Sequence, residues 1–107
     1  MPKLQLLRIL RIAKDDLGDL RRTLVKGPLA EREPEWREFQ EAIDLIDAAL
    51  KQSEKNRFPE AKRSVSKALA LTEGLSANYR SQNPAIRDPF NRTTVALIEV
   101  GRELGQG

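Results

Sequence analysis

Residues that commonly carry chemistry are scarce in this sequence of 107 residues, which contains neither histidine nor cysteine. Their absence removes the commonest general base, the commonest metal ligand and the only thiol nucleophile. The serines have no histidine to activate them, and the six glycines form no phosphate-binding loop. We therefore predict a protein that is not an enzyme, with no catalytic residue, no cofactor and no small-molecule substrate.

Carboxylates remain as candidates for a metal site. Residues three apart share one face of a helix, and this spacing relates Glu41, Asp44 and Asp47. A helical carboxylate site usually takes a second group of ligands from another helix, often including histidine. That group would have to be Asp15, Asp16 and Asp19. We interpret these carboxylates as solvated acidic faces that pair with basic neighbours, and we predict no metal site.

A cluster of basic residues is the best candidate for a binding site. This basic cluster spans the end of the second predicted helix, a turn and the start of the third, and consists of Lys51, Lys55, Arg57, Lys62, Arg63 and Lys67. Cations in the first turn of a helix oppose its dipole, so Lys62 and Arg63 suggest a function. Lysine and arginine beside free helix N-terminal amides suit phosphate. Two interpretations stay open, which are contact with nucleic-acid backbone and an ordinary solvated surface.

The elements that must position these residues are helices, because apolar residues recur at three- and four-residue spacing. Such stripes run from Leu6 to Leu24, from Trp36 to Ser53, from Ala61 to Tyr79 and from Phe90 to Leu104. They predict helices near residues 4–26, 34–55, 59–79 and 88–104. We expect a single all-α domain, a small antiparallel helical bundle of about four helices.

Residues that commonly begin or end helices support these boundaries. Gly27-Pro28 should end the first helix, and Asp88-Pro89 should begin the fourth after a turn-rich connector at 81–87. The inward positions of the stripes predict the buried core, which comprises Leu10, Leu17, Leu20, Phe39, Ile43, Ile46, Leu50, Val65, Leu69 and Leu97.

The first helix has an apolar arc wider than one core stripe. Leu7, Ile9 and Ile12 lie outside its main stripe, and a chain this small is poorly placed to cover every apolar face. We predict that these three residues bind a protein partner or a second copy. The opposite face carries Arg8, Arg11, Arg22 and Lys26, a pattern that also suits a helix lying on a membrane, although the core is the favoured destination of the stripe.

The distribution of charge bears on partners and location. The net charge is +3, and an acidic segment at residues 31–50 lies between two basic ones. Either neighbouring helices attract each other, or a basic surface faces an anionic partner. No apolar run approaches the roughly 20 residues of a membrane helix, and no apolar leader follows Met1. We expect a cytoplasmic protein that does not bind membranes.

Residues 42–71 resemble a single tetratricopeptide hairpin. Ala42, Leu45 and Ala49 precede the turn Lys55-Asn56-Arg57-Phe58, which is followed by Glu60-Ala61 and by Lys67-Ala68-Leu69-Ala70-Leu71. The resemblance implies a protein-interaction module, here an adaptor or chaperone that binds a peptide segment of a partner protein. In size, charge and helix content the chain is also similar, at the level of class, to small helical subunits of CRISPR effector complexes. We predict a non-enzymatic helical subunit of a larger assembly, which binds protein through its apolar helix faces and whose basic cluster is a candidate for contact with nucleic-acid backbone. The tetratricopeptide-like adaptor or chaperone is the alternative.

Overall fold

A computed structural model describes residues 2–79 and 83–106, apart from the side chain of Gln106. It contains four helices and, in the residues described, no strand: α1 (Lys3–Leu24), α2 (Pro34–Glu54), α3 (Phe58–Asn78) and α4 (Pro84–Gln106). A short 3₁₀ turn, Ala30–Arg32, lies between α1 and α2. The prediction of an all-α bundle of about four helices is confirmed.

The helices form a closed ring in which each packs against two neighbours. The adjacent pairs are α1–α2, α2–α3, α3–α4 and α4–α1. The start of α1 meets the end of α2, where the Lys3 ammonium donates to the Glu54 carbonyl oxygen at 2.8 Å. The start of α3 meets the end of α4, where Lys62 lies over Gly105. Both meeting points belong to the same end of the molecule, which we call the hairpin end.

Nine of the ten residues predicted for the core are buried, and the exception is Leu69, which is partly buried. Ala68 takes the inward position on α3, so Leu69 is turned about 100° away from it. The aromatic centre of the core is Phe39, whose ring lies 6.1 Å from that of Phe90 and 6.2 Å from that of Tyr79, measured between ring centroids. The stripe of α1 packs into this core.

The predicted start of α4 is wrong by four residues. The helix begins at Pro84, and the Asn83 side chain accepts a hydrogen bond from the Ala85 amide at 3.0 Å, as an N-cap does. Pro89 therefore lies inside the helix. The connector prediction is wrong from Pro84 onward, and its first two positions, 81 and 82, lie outside the described residues.

Four- and three-residue spacing from Phe90 predicts an inward stripe through Thr94, Leu97, Gly101 and Leu104, and the observed stripe differs from it by one residue at two positions. Thr93 and Val100 are buried, whereas Thr94 and Gly101 are only partly buried. The Thr93 hydroxyl donates to the Pro89 carbonyl oxygen at 2.9 Å, so its polar group is satisfied inside the core. The shift by one residue means that α4 is rotated about its axis relative to the prediction, and this rotation determines which of its residues reach the surface.

The turn at the hairpin end fixes how α2 and α3 meet. Asn56 adopts the left-handed conformation, with a φ of 60°. The Arg57 amide donates to the Gln52 carbonyl oxygen at 2.8 Å, and the Asn56 amide donates to that of Ser53 at 3.1 Å. These are the two hydrogen bonds of a Schellman motif, with asparagine where glycine is commonest. The tight turn brings the end of α2 beside the start of α3.

Candidate protein and nucleic-acid binding surfaces

An apolar groove lies between α1 and α4. It has a volume of about 420 Å³ and is lined by Ile9, Ile12, Asn91, Arg92, Val95, Ala96 and Glu99. Ile12 is 52% exposed and Val95 is 56% exposed, which is high for large aliphatic side chains. Burying such surface against a partner is favourable by about 25 cal/mol per Å². We call this feature the α1–α4 groove.

The structure divides the three residues predicted to bind a partner. Ile9 and Ile12 line the α1–α4 groove. Leu7 does not, because it is only 7% exposed and belongs to the core. It precedes the inward-facing Leu10 by three residues and therefore shares the inward side of α1. The assignment of Leu7 to a binding surface is corrected accordingly.

Sequence reasoning missed the half of the groove that α4 contributes. Val95 lies two residues from both Thr93 and Leu97, which puts it on the outward side of the helix. Ile98 is also exposed. An aliphatic residue off the main stripe was the available signal. The exposed position of Val95 indicates a groove only when the structure shows that α4 packs beside α1.

Charged side chains stand at both ends of the α4 side of the groove. The Arg92 guanidinium Nε lies 3.5 Å from an Asp16 carboxylate oxygen, and that buried oxygen accepts no hydrogen bond among the described residues. Glu99 lies seven residues further along α4, about 10 Å away along the helix axis. Val95 lies between the two charges, so the groove has an apolar centre with one cation and one anion beside it.

All six members of the basic cluster are exposed, but they lie on different sides of the bundle. Lys51 borders the space between α1 and α2, where its ammonium lies 3.0 Å from Asp47. The other Asp47 oxygen lies 2.9 Å from the Lys14 ammonium. Hydrogen bonds from Lys14 and Lys51 lower the pKa of the Asp47 carboxyl group, and the bond with Asp47 raises the pKa of Lys51. Asp47 therefore neutralises part of this charge.

The remaining members of the basic cluster are divided by α3. Lys62 faces α4, because its side chain covers Gly105, and the Arg63 guanidinium lies 3.9 Å from Glu60. Lys67 lies nine residues along α3, about 14 Å from the helix start. Lys55 and Arg57 flank Asn56 in the turn, and within the described ranges neither takes part in an ion pair.

Lys3 joins the turn and was missed by the sequence analysis. Its ammonium lies 2.8 Å from the Glu54 carbonyl oxygen and 3.2 Å from the Asn56 side-chain oxygen. An antiparallel bundle brings the start of α1 to the end of α2, so the predicted arrangement of helices already implied that Lys3 lies near this turn. Lys3, Lys55 and Arg57, which we call the tip cations, lie in or against the turn that precedes α3, and no side chain caps the start of that helix.

Four of the six carboxylates considered for a metal, Asp16, Asp19, Asp44 and Asp47, face a cation or an amide. Asp47 lies between Lys14 and Lys51, Asp19 binds Arg22, and Asp44 accepts from the Gln40 amide at 2.8 Å. In the parts of the chain that the structure describes, no three acidic residues converge as metal ligands would. Two ion pairs join basic α1 to acidic α2, namely Lys14–Asp47 at 2.9 Å and Arg11–Glu54 at 3.8 Å. They agree with the interpretation that the alternating charge of the sequence makes neighbouring helices attract each other.

None of the four helices, over the residues described, combines the length and apolar character needed to cross a bilayer. Comparison of the chain with protein-family models, with curated proteins and with solved structures finds no match. Two surfaces are therefore the candidates for function, the α1–α4 groove and the tip cations.

Proposed function

We propose that this chain is a non-enzymatic helical subunit of a larger assembly and that it binds a protein through the α1–α4 groove. The observation that supports this most directly is the exposure of Ile12 and Val95 side by side on two helices. Scattered exposed aliphatic residues are normal, but a continuous apolar groove with charged neighbours is typical of interaction sites. The lack of histidine and cysteine supports a role without chemistry.

Site-directed photocrosslinking in the native cells tests this proposal. A photoreactive phenylalanine analogue replaces Val95, and in a matched control it replaces Ala70, which is exposed on α3. We expect one discrete protein adduct from position 95 and none from position 70. Equal yields at both positions, or no adduct from either, would contradict the proposal. The mass of the adduct tells whether the bound protein is a second copy or a different chain.

A second function, contact with nucleic-acid backbone, is favoured by the tip cations. Lys3 contacts the turn that carries Lys55 and Arg57, next to the uncapped start of α3, where the Phe58 and Glu60 amides add further donors for a phosphate oxygen. Phe58 is half-buried, which leaves no exposed aromatic ring in the turn for base stacking. The proposed binding is therefore independent of sequence, and its dependence on salt provides the test.

The tetratricopeptide-like adaptor is the alternative. In that interpretation the α2–α3 hairpin would hold a peptide segment of a partner protein. The hairpin packs against α1 and α4 in a closed ring, and the exposed apolar groove lies between the other two helices. We therefore favour the assembly subunit over the adaptor. A photocrosslink from Ala70 but not from Val95 would reverse this preference.

A further inference from the structure

We infer that the occupant of the α1–α4 groove is a second copy of this chain, with α4 of one copy antiparallel to α4 of the other about a two-fold axis beside Val95. This inference depends on the proposed function, because it names the partner of the same groove. It follows from the order of charges along the exposed face of α4.

That face consists of residues at four- and three-residue spacing, opposite the buried stripe. Its members are all exposed, and they are Asp88, Arg92, Val95, Glu99 and Arg102. The helix has 3.6 residues per turn, so this spacing keeps the five side chains in one row along about 20 Å of helix. The row has an aliphatic residue at its centre and alternates in charge from the centre outward on each side.

The row is complementary to itself when it is reversed. Arg92 and Glu99 lie three and four residues from Val95, so an antiparallel copy brings each Arg92 opposite the other copy's Glu99. Asp88 and Arg102 lie seven residues on either side of Val95 and form an outer pair in the same way. A two-fold axis repeats every contact. A parallel copy would instead place Arg92 against Arg92, which is unfavourable.

The apolar centre and the available area also suit a second copy. Ile12 borders Val95 in the groove, so each copy offers the other an aliphatic surface at the axis. The outward faces of α1 and α4 are each about 35 Å long and about 10 Å wide, so that together they offer a partner roughly 700 Å². Stable complexes bury roughly 800 Å² per partner. The described ion pairs leave Glu99 and Arg102 without a partner within the chain.

Sedimentation equilibrium with charge reversals tests the inference. The wild-type protein should be a dimer, and Arg92→Glu or Glu99→Arg alone should each raise the dimer dissociation constant roughly tenfold or more. Mixing the two single variants should restore dimers that contain one copy of each, since opposite charges then face each other in both pairs. Energy transfer between two dyes, one on each variant, identifies the mixed dimer. Ala70→Glu on α3 is the control and should leave the dissociation constant unchanged.

Three outcomes would overturn this inference. They are a wild-type protein that stays monomeric at every concentration, single reversals that leave the dissociation constant unchanged, and a mixture that fails to restore dimers. Melting temperatures of the variants check that each one is folded. A monomeric wild type whose Val95 position crosslinks to a different protein would overturn the second copy as occupant while leaving the proposed function intact.

Discussion

Removing one charge at the turn should change the salt dependence of nucleic-acid binding by a measurable amount. Each phosphate contact contributes about −0.7 to the slope of log K against log salt on single strands. The basic cluster acting as one surface of six cations would give a slope of about −4. The structure instead places Lys3 against Glu54 and Asn56 of the turn, whose own cations are Lys55 and Arg57, so that the tip has three cations. We therefore expect a slope of about −2, so that a threefold rise in salt lowers affinity about tenfold.

The variants Arg57→Gln and Lys51→Gln provide a matched comparison, because each removes one positive charge. Arg57 belongs to the tip cations, and its loss should reduce the slope by about 0.7. Lys51 is already paired with Asp47 on the α1 side of α2, so its loss should leave the slope unchanged. Fluorescence anisotropy of a labelled RNA, titrated at three salt concentrations, measures both. Neither variant should shift the melting temperature appreciably, since exposed charges contribute little to stability.

Two results would refute this reasoning. An equal fall in slope for both variants would mean that the basic cluster acts as one surface, and the division seen in the structure would be irrelevant to binding. A wild-type affinity that does not depend on salt would remove the tip cations as a phosphate site. The protein-binding proposal would be unaffected by either result, because the α1–α4 groove shares no residue with the tip.

Three further predictions concern stability. Ile46→Ala should lower the free energy of unfolding by roughly 2–5 kcal/mol, whereas Ile12→Ala, at an exposed position, should change it by about 0.5 kcal/mol or less in urea titrations. The lowered pKa of Asp47 means that its contribution is present above the unfolded pKa and lost as pH falls through the folded value. Asp47→Asn should therefore flatten the acid limb of the curve of unfolding free energy against pH, and an unchanged limb would refute this. Asn56→Ala should lower the free energy of unfolding by about 1 kcal/mol, because alanine is unfavourable in the left-handed backbone conformation. Asn56→Gly should leave the free energy of unfolding unchanged or raise it. Equal changes in the melting temperature for the two variants would contradict the turn geometry.

The sequence predicted helices reliably where the apolar spacing was unbroken. The stripe from Trp36 to Ser53 matches α2 closely, because no residue in it competes with a helix. The segment around the start of α4 contains two Xaa-Pro signals, Asn83-Pro84 and Asp88-Pro89, and either could begin a helix. The sequence offers no local reason to choose the first. In the structure Ile86, in the added first turn, packs against the core, and Pro89 lies inside the helix.

The candidate sites were harder to predict, for a different reason. Spacing along one helix says which residues share a face, but it does not say which neighbour that face meets. Lys51 and Lys62 are close in sequence, yet one faces α1 and the other faces α4. Conversely, Ile12 and Val95 are 83 positions apart in the sequence, yet they line the same groove. Only the order of helices in the ring supplies both facts.

The two surfaces together lead to one more prediction. An antiparallel pairing of α4 puts the two hairpin ends at opposite ends of the dimer, so that each dimer carries two separate sets of tip cations. One bundle is 41 Å along its longest axis, and a stacked strand of ten nucleotides spans about 34 Å. Such a strand should reach only one set, and Val95→Asp, which should prevent the proposed dimer from forming, should bind it as tightly as wild type does.

A strand of forty nucleotides reaches both sets of tip cations, and the second contact then benefits from a high effective concentration. At protein concentrations that favour the dimer, wild type should bind the long strand roughly tenfold or more tightly than Val95→Asp does. Anisotropy with both strand lengths measures the two ratios. If Val95→Asp lowered the affinity for both strands equally, the α1–α4 groove and the tip cations would not be independent surfaces. Unaltered binding of both would mean that the two sets of tip cations do not act together on one strand.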